Sequence, residues 1–281
     1  MGRGLFGPSF LIILTLLGSC GEDIDGSQKL YVVEAFIFAG EPVQGIQIKE
    51  LTPLDSGSSA IAPVIKDANV NLEKSGISYS LEFDPVSETY FYPGNDLVIS
   101  SGDLVKLEID ARGRSSYGET IVPNPPEGVR KNLEKLLVPE IFVTFDLRDR
   151  IIDLFTTARL TVEWDNEMND LHYVVVENRE EEIDPILPDI VPEEAMELLS
   201  SFRFISEPTE ATSFDVIGVA LETYGTHVVK VYRVNQEYAD LFRNDTQDSR
   251  DLNAPPTNMV GAFGIFSSFS SDSVTFEVLR E

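Results

Sequence analysis

Apolar and polar residues alternate with period two along much of this chain. In "ISYSLEF", Ile77, Tyr79, Leu81 and Phe83 fall on one side, with Ser78, Ser80 and Glu82 on the other. "LVKLEIDA" repeats the pattern with Val105, Leu107, Ile109 and Ala111. "ARLTVEWD" sets Leu160, Val162 and Trp164 against Arg159, Thr161 and Glu163, and "VTFEV" turns Val274, Phe276 and Val278 inward. Alternation of this kind predicts half-buried antiparallel strands. "LYVVEAFIFAG" is apolar on both faces, as a central strand covered on both sides would be. Turn signals such as "YPGND" and "SGD" separate the runs.

Helical spacing is scarce. "EGVRKNLEKLL" (127–137) places Val129, Leu133, Leu136 and Leu137 along one side and predicts a short helix. "VPEEAMELLSSF" has Pro192 in place for a first turn, followed by acids that suit a helix N-terminus. "NQEYADLFRN" predicts a third helix, with Asn235 as its N-cap. These are short elements set among sheets, and no internal repeat of fixed period is visible.

The clearest boundary is "TIVPNPPEG" (120–128), where Pro123, Pro125 and Pro126 break strand pairing. It predicts a β-sandwich of about seven short strands over residues 29–124 and a second β domain with short helices over 125–281. The expected fold class is therefore mainly β, with two antiparallel sandwich-like domains. Residues 177–197, with nine acids and three prolines, read as a long excursion between strands. Its apolar residues Ile183, Ile186, Leu187, Ile190 and Val191 are expected to fold back onto the parent domain.

The 281 residues carry 48 Asp and Glu against 21 Lys and Arg, a net charge of −27. That balance argues against nucleic acid and anionic lipid as surface partners, because both select basic patches. The apolar fraction is ordinary for a globular protein, so a packed core is expected. The only cysteine, Cys20, closes the stretch "FLIILTLLGSC". The apolar run Phe10–Leu17 is too short for a bilayer, which needs about 20 apolar residues. Arg3 before the run, and small Gly18 and Ser19 after it, give the architecture of a secretory signal peptide. The residues Leu17, Gly18 and Ser19 ahead of Cys20 resemble the bacterial lipobox. That resemblance implies cleavage of residues 1–19, lipid attachment at Cys20, and an acylated tether over 20–28. With its thiol acylated, the mature chain has no disulfide and no cysteine nucleophile.

Several further phrases resemble Bacteroidetes outer-membrane lipoproteins that carry domain of unknown function 4249. They are "YVVEAFI", "IKDANVNLEKSGISYSLEF", "DLVKLEIDARGRSSYGETIVPNPP", "VEWDNEMNDLHYVVV", "VVKVYRVNQEYADLF" and "PPTNMVGAFGIFSSFSSDSVTFEV". The stretch from "DANVNLE" to "LVKLEIDA" also resembles, more loosely, the transthyretin-like sandwich of carboxypeptidase regulatory-like domains. The resemblance implies an outer-membrane lipoprotein, commonly encoded beside a TonB-dependent transporter. It supplies no catalytic residues. The acidic "GEDID" after Cys20 resembles the export signal that sends such lipoproteins to the cell surface.

Catalytic chemistry finds little support in the residues themselves. His172 and His227 lie in strand-like stretches and read as solvated strand histidines. There is no "HExxH", no "GxSxG" and no phosphate-binding loop, so no catalytic residue, cofactor or metal is expected. "DNEMND" (165–170) offers Asp165, Glu167, Asn169 and Asp170 as oxygen ligands for calcium. It lacks the glycine and distal glutamate of an EF-hand, and an acidic hairpin turn is the preferred reading. Tyr79, Tyr90, Phe91 and Tyr92 could line a sugar platform near a loop tip, whereas Trp164 belongs to the core. The expected function is a non-catalytic binding or accessory component of an outer-membrane, TonB-dependent uptake system. A surface hydrolase acting on glycans or peptides, and a structural adhesin or spacer, are the alternatives. A cleft gathering carboxylates or a histidine would favour the hydrolase.

Overall fold

The computed structural model describes residues 30–51, 62–140, 148, 149, 152, 158–187, 199, 203–218, 221–244 and 257–281. The fold is mainly β. The first seven strands are β1 (Tyr31–Phe38), β2 (Gln47–Glu50), β3 (Asn69–Lys74), β4 (Ile77–Asp84), β5 (Thr89–Phe91), β6 (Leu104–Ala111) and β7 (Arg114–Ile121). Strands β3 to β7 form one sheet in the order β7-β6-β3-β4-β5. Its inward residues follow the period-two reading: Val105, Leu107 and Ile109 are at most 1% exposed. Ile77 departs from that reading. It sits at the turn end of the β3–β4 hairpin, opposite Lys74, and stays exposed. Across the core lie β1 and β2, whose Tyr31, Val33, Ala35, Ile37 and Ile48 complete the cluster.

The second group of strands packs in the same manner. Strands β8 (Glu127–Lys131), β10 (Arg159–Asp165) and β13 (Ser213–Ile217) form a three-stranded sheet with β10 in the middle. It covers one face of a larger sheet that holds β11 (His172–Asn178), β12 (Arg203–Ile205), β14 (Gly225–Val234) and β9 (Lys135–Val138). Leu160, Val162 and Trp164 of β10 meet Val174, Val176, Val229 and Val231 there. The opposite face of the large sheet is also covered. Tyr173, Tyr232 and Phe269 pack there against Phe36, Phe38 and Tyr238, the last from helix α1 (Gln236–Asn244).

One strand belongs to both groups. After the short β15 (Met259–Val260), β16 runs from Phe263 to Arg280, 18 residues without interruption. Its first half pairs parallel with β1 and its last residues pair parallel with β9, while β14 lies antiparallel along its other side. The large sheet is therefore mixed, within a fold expected to be mainly antiparallel. Met259, Ala262 and Phe266 enter the first core, and Phe276 and Val278 enter the second. The proline segment at 123–126 passes beside this strand, and the Pro123 carbonyl accepts from Ser270 Oγ.

Close approach at this junction is written into small residues. A Cβ on Gly118 of β7 would lie 2.5 Å from Met259 Sδ and 3.3 Å from Phe266 Cβ. Gly264 has φ +104°, and a Cβ there would overlap the Val33 carbonyl oxygen. Two asparagines complete the seam. Asn258 donates to Phe266 O (2.6 Å) and accepts from Phe266 N (2.9 Å), imitating a strand partner. Asn235 donates to Thr120 Oγ1, Ile121 O and Ser268 Oγ. Its carbonyl accepts from Tyr238 N and Ala239 N to start α1. The helix begins where expected, with the Asn235 side-chain amide donating into the seam.

Three expectations need correction. Residues 127–137 are two strands, β8 and β9, because pairing with β10 and β16 overrides a fortuitous helical spacing. Leu136 is buried and Leu137 is 55% exposed, which is strand alternation. The segment after "VEW" is no hairpin, because β10 and β11 lie in different sheets and the chain crosses between them. The histidines are buried. His172 and His227 are 1% and 3% exposed, because β11 and β14 are covered on both faces and have no solvated side. The 177–197 excursion does return to the parent core as far as described: Ile186 is buried there with Leu187 against it. The helix expected after Pro192 falls, apart from Leu199, outside the described residues, as do Ile190 and Val191.

Candidate functional site

The crossing from β10 to β11 builds a cleft of ≈ 300 Å³. Asn166 holds its shape: Nδ2 donates to Asp170 O and Glu210 O, each at 3.0 Å, and Oδ1 accepts from Asp170 N at 2.9 Å. Asn169 takes φ 54°, a conformation asparagine tolerates better than most residues. These bonds close the six-residue turn and tie it to the segment before β13. Buried Pro126 and exposed Glu127, Glu167 and Met168 also line it.

His172 lines this cleft as the first residue of β11. Its backbone is fixed by reciprocal bonds with Thr209, 2.8 and 2.7 Å. Nδ1 donates to Asp170 O at 3.0 Å, which places the proton on Nδ1 and the lone pair on Nε2. The Trp164 indole packs against the ring at 5.6 Å. Burial pushes the imidazole down to about 4, so it is neutral at neutral pH. Nε2 has no partner among the described residues.

The charges around this floor are unevenly matched. Arg233 of β14 is paired with Asp170. Arg130 of β8 lies 3.1 Å from Asp165 and 3.0 Å from Glu163. Glu127 and Glu167 have no cation among the described residues. The four oxygen-bearing residues considered for calcium therefore do not converge, since Asp165 and Asp170 are turned to separate arginines. Among the described residues, no group of three or more His, Cys, Asp or Glu is arranged to hold a metal ion.

His227 lies in a second polar pocket. Nδ1 donates to Gly225 O at 3.1 Å, and Thr223 Oγ1 donates to Nε2 at 3.3 Å. Asn178 donates to the same Thr223 oxygen. A hydroxyl beside a histidine is the beginning of a nucleophile and base pair. Here the second ring nitrogen meets a backbone carbonyl in place of a carboxylate, burial lowers the imidazole, and the adjoining space is ≈ 20 Å³. That is room for one water and not for a substrate.

The aromatic candidates do not form a flat platform. Tyr90 is 1% exposed, and its hydroxyl donates to Ile65 O while accepting from Ala68 N. Tyr79 and Tyr92 meet edge to face at 86°, and Tyr92 donates to Asp96. Trp164 is 1% exposed, in the core as read from the sequence. Cys20 and the tether lie outside the described residues. Sequence reading missed Arg233, Glu127 and the tying role of Asn166. An arginine inside the largely apolar strand stretch "VVKVYRV" was the available signal for the first.

No protein-family model and no curated protein matches this chain. Among solved structures, a crystal structure of domains from titin is similar at a TM-score of 0.20 with 11% sequence identity. The alignment covers 90% of this chain and 66% of that one. A likeness at this level carries no functional argument.

Proposed function

We propose that this protein is a surface lipoprotein, anchored through Cys20, that serves as a non-catalytic binding or accessory component of an outer-membrane, TonB-dependent uptake system. The compartment follows from the lipobox-like "LGSC" and the acidic residues behind it, and the transporter partner follows from the family resemblance alone. The binding role rests on the state of His172. A general base works best with a pKa near the operating pH, whereas this imidazole sits near 4 with its Nδ1 committed to a backbone carbonyl. With the proton on Nδ1, its Nε2 can accept a hydrogen bond. The competing reading, a surface hydrolase, draws on the same cleft because it gathers carboxylates around a histidine. The neutral, carbonyl-bound imidazole is the reason to prefer binding.

Labelled palmitate should enter the wild type and not Cys20→Ala, which should keep residues 1–19. Labelling of the variant would overturn the anchor. Crosslinking in native membranes should recover a β-barrel transporter with the lipoprotein, and recovery of the lipoprotein alone would favour a free-standing binder or spacer. Glycan, ester and peptide substrates should turn over no faster than with boiled protein. Turnover abolished by His172→Gln would establish the hydrolase.

A further inference from the structure

We infer that strand β13 is an open edge that takes an extended segment of a partner polypeptide as a fourth strand, one aliphatic side chain of that segment entering the apolar cavity behind it. The inference rests on the binding role proposed above and names the surface and the kind of partner.

The first observation is the phase of the edge. β13 lies at the margin of the three-stranded sheet. Trp164 N donates to Thr212 O at 3.0 Å, and Gly218 N donates to Ala158 O at 2.7 Å. Leu160 stands opposite Val216 and Val162 opposite Phe214. Antiparallel pairing then points the backbone of Phe214 and Val216 at β10 and turns the N–H and C=O of Ser213, Asp215 and Ile217 away from it. Those outward groups make no hydrogen bond among the described residues. In the first sandwich, by contrast, β5 and β2 are covered. Ile46 exchanges two bonds with Tyr90 of β5, at 3.2 and 2.7 Å, and Ile65 N donates to Ile48 O of β2 at 2.8 Å. β13 also lacks the lysine or proline that blunts many edges. Its one charge, Asp215, is drawn back to Arg159 and Thr161 of β10, at 3.1 and 2.7 Å.

The second observation is the space. The apolar cavity of ≈ 120 Å³ is lined by Phe214 and Val216 of β13, Phe204 of β12, and Val176 and Leu221. β12 is the margin of the facing sheet, so the cavity lies between the two margins of the second sandwich. A strand added antiparallel to β13 places the residues opposite Phe214 and Val216 on the core side. There a side chain enters the cavity. An apolar cavity of about 150 Å³ holds benzene, so this space suits a leucine, isoleucine or valine side chain.

The occupant is a different polypeptide, because this chain is a poor partner for itself. A second copy brings the same net charge of −27, and its Phe214 and Val216 are already packed in its own core. The segment recognised is extended, aliphatic at alternate positions, and neutral or basic at the others. Main-chain bonds supply its affinity and the cavity its selectivity.

The test uses the full acylated chain in detergent micelles and the peptide acetyl-KTLTLTK-amide, with hydrogen exchange followed residue by residue. In the free protein the Phe214 and Val216 amides should be protected, while those of Ser213, Asp215 and Ile217 exchange fast. An excess of peptide should slow these three by about tenfold or more. Protection of all five amides before peptide is added would overturn the proposal, as would no change on addition. Methylating the threonine amide nitrogens, which antiparallel pairing turns toward β13, should abolish binding, and methylating those of the leucines should not. Binding that tolerates the methylated threonines would overturn the strand geometry. Ser213→Pro removes one outward N–H without touching a bond to β10 and should weaken the peptide about tenfold. Val216→Ile fills part of the cavity and should weaken it with no loss of thermal midpoint. Unchanged binding by both variants would place the peptide elsewhere. Protection that grows with protein concentration in the absence of peptide would assign the edge to a second copy instead. Turnover, palmitate labelling and crosslinking read the proposed function by other means, so failure here is separable from failure there.

Discussion

The two sandwiches share one long strand but treat buried polar groups differently. In the first, most buried hydroxyls among the described residues are paired, Ser267 Oγ on β16 being the exception. Tyr31 meets Ser116 at 2.6 Å, Tyr90 bridges Ile65 and Ala68, and Thr120 meets Ser268 at 2.9 Å. In the second, Trp164 Nε1 and Tyr224 Oη are buried without a hydrogen bond. That half also holds both neutral histidines and an apolar cavity of ≈ 120 Å³ lined by Val176, Phe204, Phe214, Val216 and Leu221. Of these features, Trp164 lies beside the candidate cleft through its contact with His172. A fold under pressure only to be stable closes such gaps, and departures from local consistency are expected at functional sites. The second sandwich holds both buried histidines and the apolar cavity.

The strongest way to break this division is at the shared strand. Gly264→Val forces a side chain into a positive-φ position and against the Val33 carbonyl. It should cost more than about 4 kcal/mol and abolish cooperative folding of both halves. Urea unfolding that retains a native transition in either half would show that the halves are independent.

Acid separates them next. His172 is held at about 4 against an ordinary 6.5. Between those values the unfolded chain binds a proton that the folded chain refuses, so stability is lost as pH falls through this window. The loss from this group reaches roughly 3 kcal/mol by the lower end. The buried His227, lowered in the same sense, adds to it. His172→Gln should flatten the slope of unfolding free energy between pH 6.5 and 4. An unchanged slope would mean that the imidazole is not buried neutral.

Smaller effects sharpen the contrast. Asn258→Ala removes the side-chain imitation of a strand partner and leaves the Phe266 backbone unpaired. It should cost about 2 kcal/mol and speed hydrogen exchange at the Phe266 amide ahead of Val231. Smallest of all, Val216→Ile adds one methylene beside the apolar cavity and should stabilise by up to about 1 kcal/mol. Val70→Ile in the closed first core should cost about as much. Equal effects on thermal midpoint at the two positions would remove the packing difference.

The legibility of this chain followed the same division. Val105, Leu107 and Ile109, or Leu160, Val162 and Trp164, show their inward face because each sheet has one core side and period two survives intact. The parallel pairing of β1 with β16 leaves no local trace, because its partners lie at opposite ends of the described chain. Val129, Leu133, Leu136 and Leu137 imitated a helix because two short strands and the turn between them have about the right spacing. The histidines misled for a related reason, since a strand covered on both faces has no polar side for them to occupy. At the cleft, the oxygen-rich "DNEMND" was visible as a place for a cation. Arg130 and Arg233, which claim two of its carboxylates, arrive from other strands and could not be placed from spacing alone.

A strand of 18 residues extends for about 60 Å, and its ends are gripped by parallel neighbours at both poles. A pull entering the body at Tyr31 passes into β1 and from there into β16 along the strand direction, so the hydrogen bonds of Val32 to Phe38 share the load in shear. Bonds loaded side by side yield together, whereas a hairpin pulled at its open end unzips one rung at a time. The strand therefore acts as a tie rod. It carries tension from the root of the first sandwich to the last residues of the second, and it leaves no hinge between them.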